Sequence, residues 1–251
     1  MIEIDSAMFE ATKQAARERY ITDKVREYER NDPKRFACAG ETKFREFIEL
    51  SLQKAEKYNM LADREVNGLR TMMYALGSYF DEDPMYPWAR FKRFPDKNPT
   101  SKEEPESFIY LEKIYRQFYT QSVEVQGETN QYLLSALARI QKLQIRDLLP
   151  FRETKEIVRL LEYIYPEHYK LIPVEALQEH VIPAAGDVAL QYGLAPALGK
   201  VLFSGLIFFC GSGILQDPLY WNFLETLEQV FDFSGEQRER KILSHLQSYS
   251  V

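Results

Sequence analysis

The side chains able to do chemistry are few and scattered. The histidines are His168, His180 and His245, all beyond the midpoint of the 251-residue chain. They form no HExxH motif and no i, i+4 pair, and no CxxC accompanies them. The spacing that sets two metal ligands on one helical face is therefore missing. No Gly-x-Ser-x-Gly elbow occurs. Ser204 and Ser212 sit inside an apolar helical pattern, as does Cys210, where a thiolate is disfavoured. Cys38 has no histidine within its half of the chain. Phosphate loops are also missing: Gly211-Ser212-Gly213 has neither a strand before it nor a basic residue after it. The expectation is a chain with no catalytic residue, no cofactor and no metal.

Two charged clusters need a reading. Asp81, Glu82 and Asp83 could form a Ca²⁺ loop, and Arg90-Phe91-Lys92-Arg93 is a short basic run followed by Phe94. The first reads as a helix cap, because only Asp83 has an acidic counterpart later in the chain. The second reads as a solvated helix end.

That counterpart belongs to a repeat. Tyr58–Tyr86 and Tyr192–Tyr220 align without a gap at an offset of 134 residues. Identities fall at Tyr58/Tyr192, Gly77/Gly211, Ser78/Ser212, Asp83/Asp217, Pro84/Pro218 and Tyr86/Tyr220. Upstream, at an offset of 133, Val25-Arg26 matches Val158-Arg159, Glu29 matches Glu162, and Pro33 with Phe36 matches Pro166 with Tyr169. One inserted residue reconciles the offsets. The spacing predicts one structural unit used twice, with a first helical repeat over residues 1–126, a second over 127–251 and the joint at Gly127.

The elements that carry these motifs read as helices. Met8 to Arg30 lacks Gly and Pro and predicts a long surface helix stopped near Asn31-Asp32-Pro33. Phe44, Phe47, Ile48, Ala55 and Tyr58 stripe a second helix, Glu41 to Tyr58. Val66, Leu69, Met72, Met73, Leu76 and Phe80 stripe a third, Ala62 to Phe80. In the second copy Pro196 suits a helix start. Gly77, Asp83, Pro84, Tyr86 and Trp88, with Gly211, Asp217 and Pro218, read as a corner between helices. Asp is its N-cap, Pro its first helical position, and its aromatics pack back on the preceding helix. Ser101/Glu104 and Ser234/Gln237 have the spacing of capping boxes. Leu133, Leu137, Ile140 and Leu148 stripe a further helix, and Thr154 caps the one holding Ile157, Leu160, Leu161 and Ile164. No period-two alternation or hairpin turn occurs, so the predicted fold is all-α, two tandem related helical bundles.

Composition sets bounds on partners. A net charge of −6 and 28% charged residues give no basic footprint, which argues against nucleic acid. Two cysteines at unmatched positions suit a reducing, cytoplasmic setting. The most apolar run, Val201 to Leu215, is fifteen residues, shorter than the ~20 needed to span a membrane. It has no polar face, so it must be covered either by other helices or by another protein. Phe203, Phe208, Tyr220 and Trp221 are the candidate protein-binding residues on that second possibility. Gly205, Gly211 and Gly213 would let a neighbouring helix come close.

The phrases KAEKYNMLADREV…LGSYFDEDPMYPWARF and ALQYGLAPALGKVLF…FFCGSGILQDPLYW resemble small helical proteins encoded beside effectors of the bacterial type VI secretion system. The matching residues are Ala55, Tyr58, Gly77, Asp83, Pro84, Pro87 and Trp88, then Ala189, Tyr192, Gly193, Gly211, Asp217, Pro218 and Trp221. Asn59 stands where Gly is usual, and no proline precedes Trp221. The resemblance implies a non-catalytic accessory that binds a co-encoded secreted effector or toxin. It would act as an effector chaperone or loading adaptor, or as an immunity protein. A helical enzyme with an unrecognised site is the reading from a different class. A homo-oligomer is compatible with all three.

Overall fold

A computed structural model describes residues 6–60, 62–90, 106–123, 131–148, 150–151, 153–220 and 236–248. The fold is all-α, with no strand among these residues. Helix α1, Ser6–Asn31, is exposed over its first turns and buries Ile21 and Val25 further along. Helix α2, Pro33–Lys57, starts on Asp32, whose Oδ1 accepts the Arg35 N–H at 3.1 Å, and it kinks at Gly40. Helix α3, Asp63–Leu76, places Glu65 to accept the Ala62 N–H at 3.1 Å. Then come α4 (Glu106–Val123), α5 (Gln131–Lys142), α6 (Ile145–Leu148), α7 (Thr154–Ile164) and α8 (Pro166–Tyr169). Thr154 is the first helical residue of α7, not its cap. The N–H of Glu153 is taken by Glu156 instead.

Helix α9 (Val174–Ala176) passes through a π-helical turn, Leu177–Val181, into α10 (Ile182–Gln191). Pro183 supplies no N–H to the ladder there, and a widened turn accommodates it. Helix α11 is Pro196–Cys210 with Pro196 in its first turn, and α12 is Glu236–Ser248. No helix of the described residues is long and apolar enough to cross a membrane. Ser101, Glu104, Gly127, Trp221 and Ser234, singled out in the sequence, lie outside the described residues, as do residues 91–94 of the basic run.

The stripes read from the sequence face inward. Phe44, Phe47, Ile48, Leu69, Met73, Ile157 and Leu161 are all buried. Helix α11 is covered by the chain itself: α10 packs along it, with α7, the π turn and α12 beside it. Val201, Leu202, Phe203, Leu206, Ile207 and Phe208 are buried, and only Gly205, Phe209 and Cys210 of its last two turns are half-exposed. Buried side chains from both sequence halves form one continuous core. Helix α2 lies against the turn Pro218–Tyr220, and α4 against α8, so each half reaches into the other.

Positions paired by the repeat share backbone conformation. Tyr58 ends α2 at φ −95°, ψ 5°, and Tyr192 ends α10 at φ −90°, ψ 10°. The next residues are left-handed, Asn59 at φ 57° and Gly193 at φ 62°. Asparagine tolerates that region better than other non-glycine residues, which explains how Asn59 replaces Gly. Met60 N–H then bonds Ala55 O, and Leu194 N–H bonds Ala189 O. Asp32 and Tyr165, paired at the other offset, both sit near φ −139°, ψ 70°.

Candidate functional site

The two Asp-Pro corners meet and hold each other. Gly77 follows α3 at φ 97°, and Gly211 follows α11 at φ 90°. After each glycine the chain makes the same run of turns. Phe80, Glu82, Asp83 and Tyr86 donate to Gly77, Tyr79, Phe80 and Asp83, while Ile214, Gln216, Asp217 and Tyr220 donate to Gly211, Gly213, Ile214 and Asp217. Asp83 Oδ1 accepts the Met85 N–H at 2.8 Å, and Asp217 Oδ1 accepts that of Leu219 at 2.9 Å. The second carboxylate oxygens cross over. Asp83 Oδ2 accepts the Ser212 N–H at 2.6 Å, and Asp217 Oδ2 accepts the Ser78 N–H at 2.7 Å.

This reciprocity corrects the sequence reading of the corner. Each aspartate does cap a local turn, but the described residues directly after it, 84–90 and 218–220, form no α-helix. Pro84 lies in a turn and Pro218 opens a single 3₁₀ turn. The other half of each carboxylate braces the opposite corner. The aromatics likewise reach across: Tyr86 meets His168, and Tyr220 meets Arg35. Trp88 packs on Tyr86 and Phe118. The glycines permit the approach. A Cβ on Gly77 would stand 2.5 Å from Cys210 O, and one on Gly211 would stand 2.9 Å from Leu76 O. Gly213 faces the Tyr79 side chain, so what comes close to these glycines is a corner rather than a helix, and Gly205 has nothing within 4 Å. Burial pushes the Asp83 and Asp217 carboxyls up from the usual range, against the pull of the amides they accept from.

Beside the corners lie two further positions related by the same exchange. Arg35, in the first turn of α2, donates from Nη1 to Tyr74 O at 3.2 Å. Its guanidinium carbon is 4.1 Å from the Tyr74 ring centre and 5.4 Å from that of Tyr220. His168 occupies the matching place in α8 and bonds the Phe208 backbone, Phe208 being the partner of Tyr74 in the alignment. Four rings enclose it: Phe208 at 4.9 Å, Tyr165 at 5.0 Å, Phe118 at 5.5 Å and Tyr86 at 6.2 Å. Nε2 of His168 has no hydrogen-bond partner. Burial holds this imidazole neutral, its pKa lowered to about 3. Arg35 was not singled out in the sequence, and His168 was weighed there only as a metal ligand lacking a partner at ligand spacing. The signal was present: both follow, by two residues, a proline already matched between the copies.

The acidic run does not converge. Asp81 takes Lys54 Nζ at 2.5 Å and the Tyr58 hydroxyl at 2.6 Å, Glu82 takes Lys57 at 2.9 Å, and Asp83 holds the corner amides. Three carboxylates bonded in three directions do not shape a cation loop. Among the described residues no three His, Cys, Asp or Glu side chains form a group suited to a metal ion. Ser204 donates to Lys200 O within its own helix. Burial pushes the Cys210 thiol up to about 12, too high for a nucleophile at neutral pH, and Tyr220 is its hydrogen-bond neighbour. His180 and Cys38 are exposed.

Of the residues expected to meet a partner, Phe203 and Phe208 are both 0% exposed. They fill the core around Tyr192 and His168 and offer no surface, because α10, α7 and α8 already cover them. Tyr220 is half-buried against Arg35, and Trp221 is outside the described residues. The structural corner residues Gly77, Asp83, Pro84, Tyr86 and Trp88 do come together with Gly211, Asp217 and Pro218. No protein-family model, no curated protein and no solved structure matches this chain.

Proposed function

We propose that this chain is a non-catalytic, cytoplasmic protein-binding accessory of a bacterial type VI secretion effector, acting as its chaperone or loading adaptor. The observation that carries the reading is the Tyr…Gly…Asp-Pro corner present in both halves, entered by Tyr58-Asn59 in the first and Tyr192-Gly193 in the second. The resemblance to accessory proteins rests on that motif. The structural roles of the buried polar groups support a binding function over an enzymatic one. The corner aspartates are saturated by amides, His168 is caged neutral, and the Cys210 thiol is held protonated. Large apolar side chains are exposed instead on α1 (Met8, Phe9), α7 (Tyr163) and α10 (Leu190). A partner covering them would gain about 25 cal/mol for each Å² of apolar surface removed from water.

Co-expression with the secreted protein encoded beside it tests the reading. The expected result is a stable complex and a fall in effector export when this chain is deleted. Normal export together with self-intoxication of the deletion strain would replace the chaperone reading with immunity. Absence of any complex, with turnover by the purified chain, would replace both with an enzyme.

A further inference from the structure

The Arg35 and His168 positions have the same construction and opposite character. In each, a side chain from the start of one helix bonds the backbone near the end of another and lies against a tyrosine of the opposite corner. The His168 version is sealed: His168, Tyr86, Phe118 and Phe208 are all buried. The Arg35 version is half open, since Arg35, Tyr74, Cys210 and Tyr220 are each half-exposed.

The Arg35 guanidinium is fixed and feels the charge of Asp217 without bonding a carboxylate. One donor is used, on the uncharged Tyr74 carbonyl. The nearest acids are committed elsewhere. Asp32 accepts the Arg35 backbone N–H and the Tyr74 hydroxyl, the latter at 2.5 Å. Asp217 accepts two backbone amides, from Ser78 and Leu219. Among the described residues no carboxylate lies within salt-bridge distance of Arg35. A planar fork with donors to spare, its rotamer set by two aromatic rings, suits one kind of ligand, a carboxylate that can accept two parallel N–H bonds.

We propose that Arg35, clamped between Tyr74 and Tyr220, is a carboxylate-binding notch whose occupant is an acidic side chain of the protein partner. The identity of that occupant rests on the binding function proposed above, whereas the notch does not. Half of the chain supplies Arg35 and Tyr74 and the other half supplies Tyr220, so the notch exists only while the corners are engaged. The matching His168 position, neutral and sealed, has no such capacity.

The test is a titration of the full chain with sodium acetate, observed at the Arg35 side-chain N–H resonance and compared with sodium chloride at equal ionic strength. The resonance is assigned by its loss in Arg35→Lys. A saturating shift with acetate only is expected. A linear response, or one equal to that with chloride, would overturn the notch. Tyr220→Leu, which keeps the guanidinium but removes one side of the clamp, should weaken acetate binding several-fold. Unchanged binding in that variant, with the fold intact by circular dichroism, would also overturn it. Arg35→Lys keeps the charge but not the fork, and should weaken capture of the co-encoded effector roughly tenfold. If acetate saturates the site and effector capture is unchanged, the notch stands and its occupant is a small carboxylic acid rather than the partner.

Discussion

Asp83 and Ser212 are 129 positions apart in sequence and joined by a 2.6 Å hydrogen bond, and Asp217 returns the same bond to Ser78 across the same contact. Residue i of one corner meets residue j of the other, and j meets i, which is the signature of a two-fold interface between identical subunits. Here both sides of the contact are stretches of one chain. Replacing Asp83 by Ala removes the acceptor for two backbone N–H groups at once, in a residue that is 1% exposed. A lost cap alone costs about 1 kcal/mol. Leaving the buried Met85 N–H and the part-buried Ser212 N–H unpaired raises this to roughly 2–4 kcal/mol. Chemical denaturation should show that loss for Asp83→Ala and a similar one for Asp217→Ala. A loss no larger than a surface substitution gives would mean that the crossing bonds contribute nothing.

The glycines make a sharper contrast. Gly77→Ala places a Cβ 2.5 Å from Cys210 O at a φ of 97°, and backbone on either side has no room to yield. Its cost should exceed ~3 kcal/mol, the combined effect of strain and a parted contact. Gly205→Ala, inside α11 with nothing within 4 Å, should instead stabilise by up to ~1 kcal/mol through helix propensity. Melting temperatures of the two variants should move in opposite directions.

These contacts mark the limit of what the sequence discloses. Stripes such as Phe44-Phe47-Ile48 and Val66-Leu69-Met73 are local periodicities, and local periodicity is legible without a fold. The third helix, read to Phe80, stops at Leu76, because Gly77 leaves it at positive φ, as Gly211 does after α11. The crossing of Asp83 to Ser212 was not legible, because one carboxylate has two oxygens and the capping pattern accounts for only one. Phe203 and Phe208 were misplaced for a related reason. An all-apolar helix must be covered, but nothing local says whether the cover is the same chain. The roles of Arg35 and His168 were not legible because they depend on the opposite half's tyrosine.

Lys54 and Asp81 form a buried ion pair that only the first half has; the aligned positions in the second are Val188 and Leu215. Breaking a buried pair on one side leaves a charge without compensation and costs roughly 3–5 kcal/mol. Lys54→Val alone should therefore be severely destabilising. The double variant Lys54→Val with Asp81→Leu reproduces the apolar pair of the second half and should recover most of the loss, less what the Tyr58 hydroxyl forfeits with its acceptor. Denaturation of the single and double variants decides this. Additive losses would show that the pair's surroundings cannot accept apolar side chains.

His168 makes stability depend on pH in a calculable direction. Its folded-state pKa is about 3, far below the ordinary 6.5, because burial among Tyr86, Phe118, Tyr165 and Phe208 disfavours the imidazolium. The unfolded chain therefore binds a proton at this residue between those values while the folded chain does not. The contribution is fully present above pH 6.5 and declines as pH falls toward 3, by about 1.4 kcal/mol per pH unit. The other titratable groups at the site are the Tyr86 and Tyr165 hydroxyls, raised out of range, and neighbouring Glu167. Asp83 and Asp217 act in the opposite sense, since their raised carboxyls take up protons earlier in the folded state. His168→Leu removes only the histidine's share. The unfolding free energy of the wild type relative to this variant should be flat from pH 8 to 7. It should then fall by about 2 kcal/mol between pH 6 and pH 4.5. Parallel profiles for the two proteins across that window would mean that the folded state admits the charged imidazole, and that the ring cage yields where its packing says it should not.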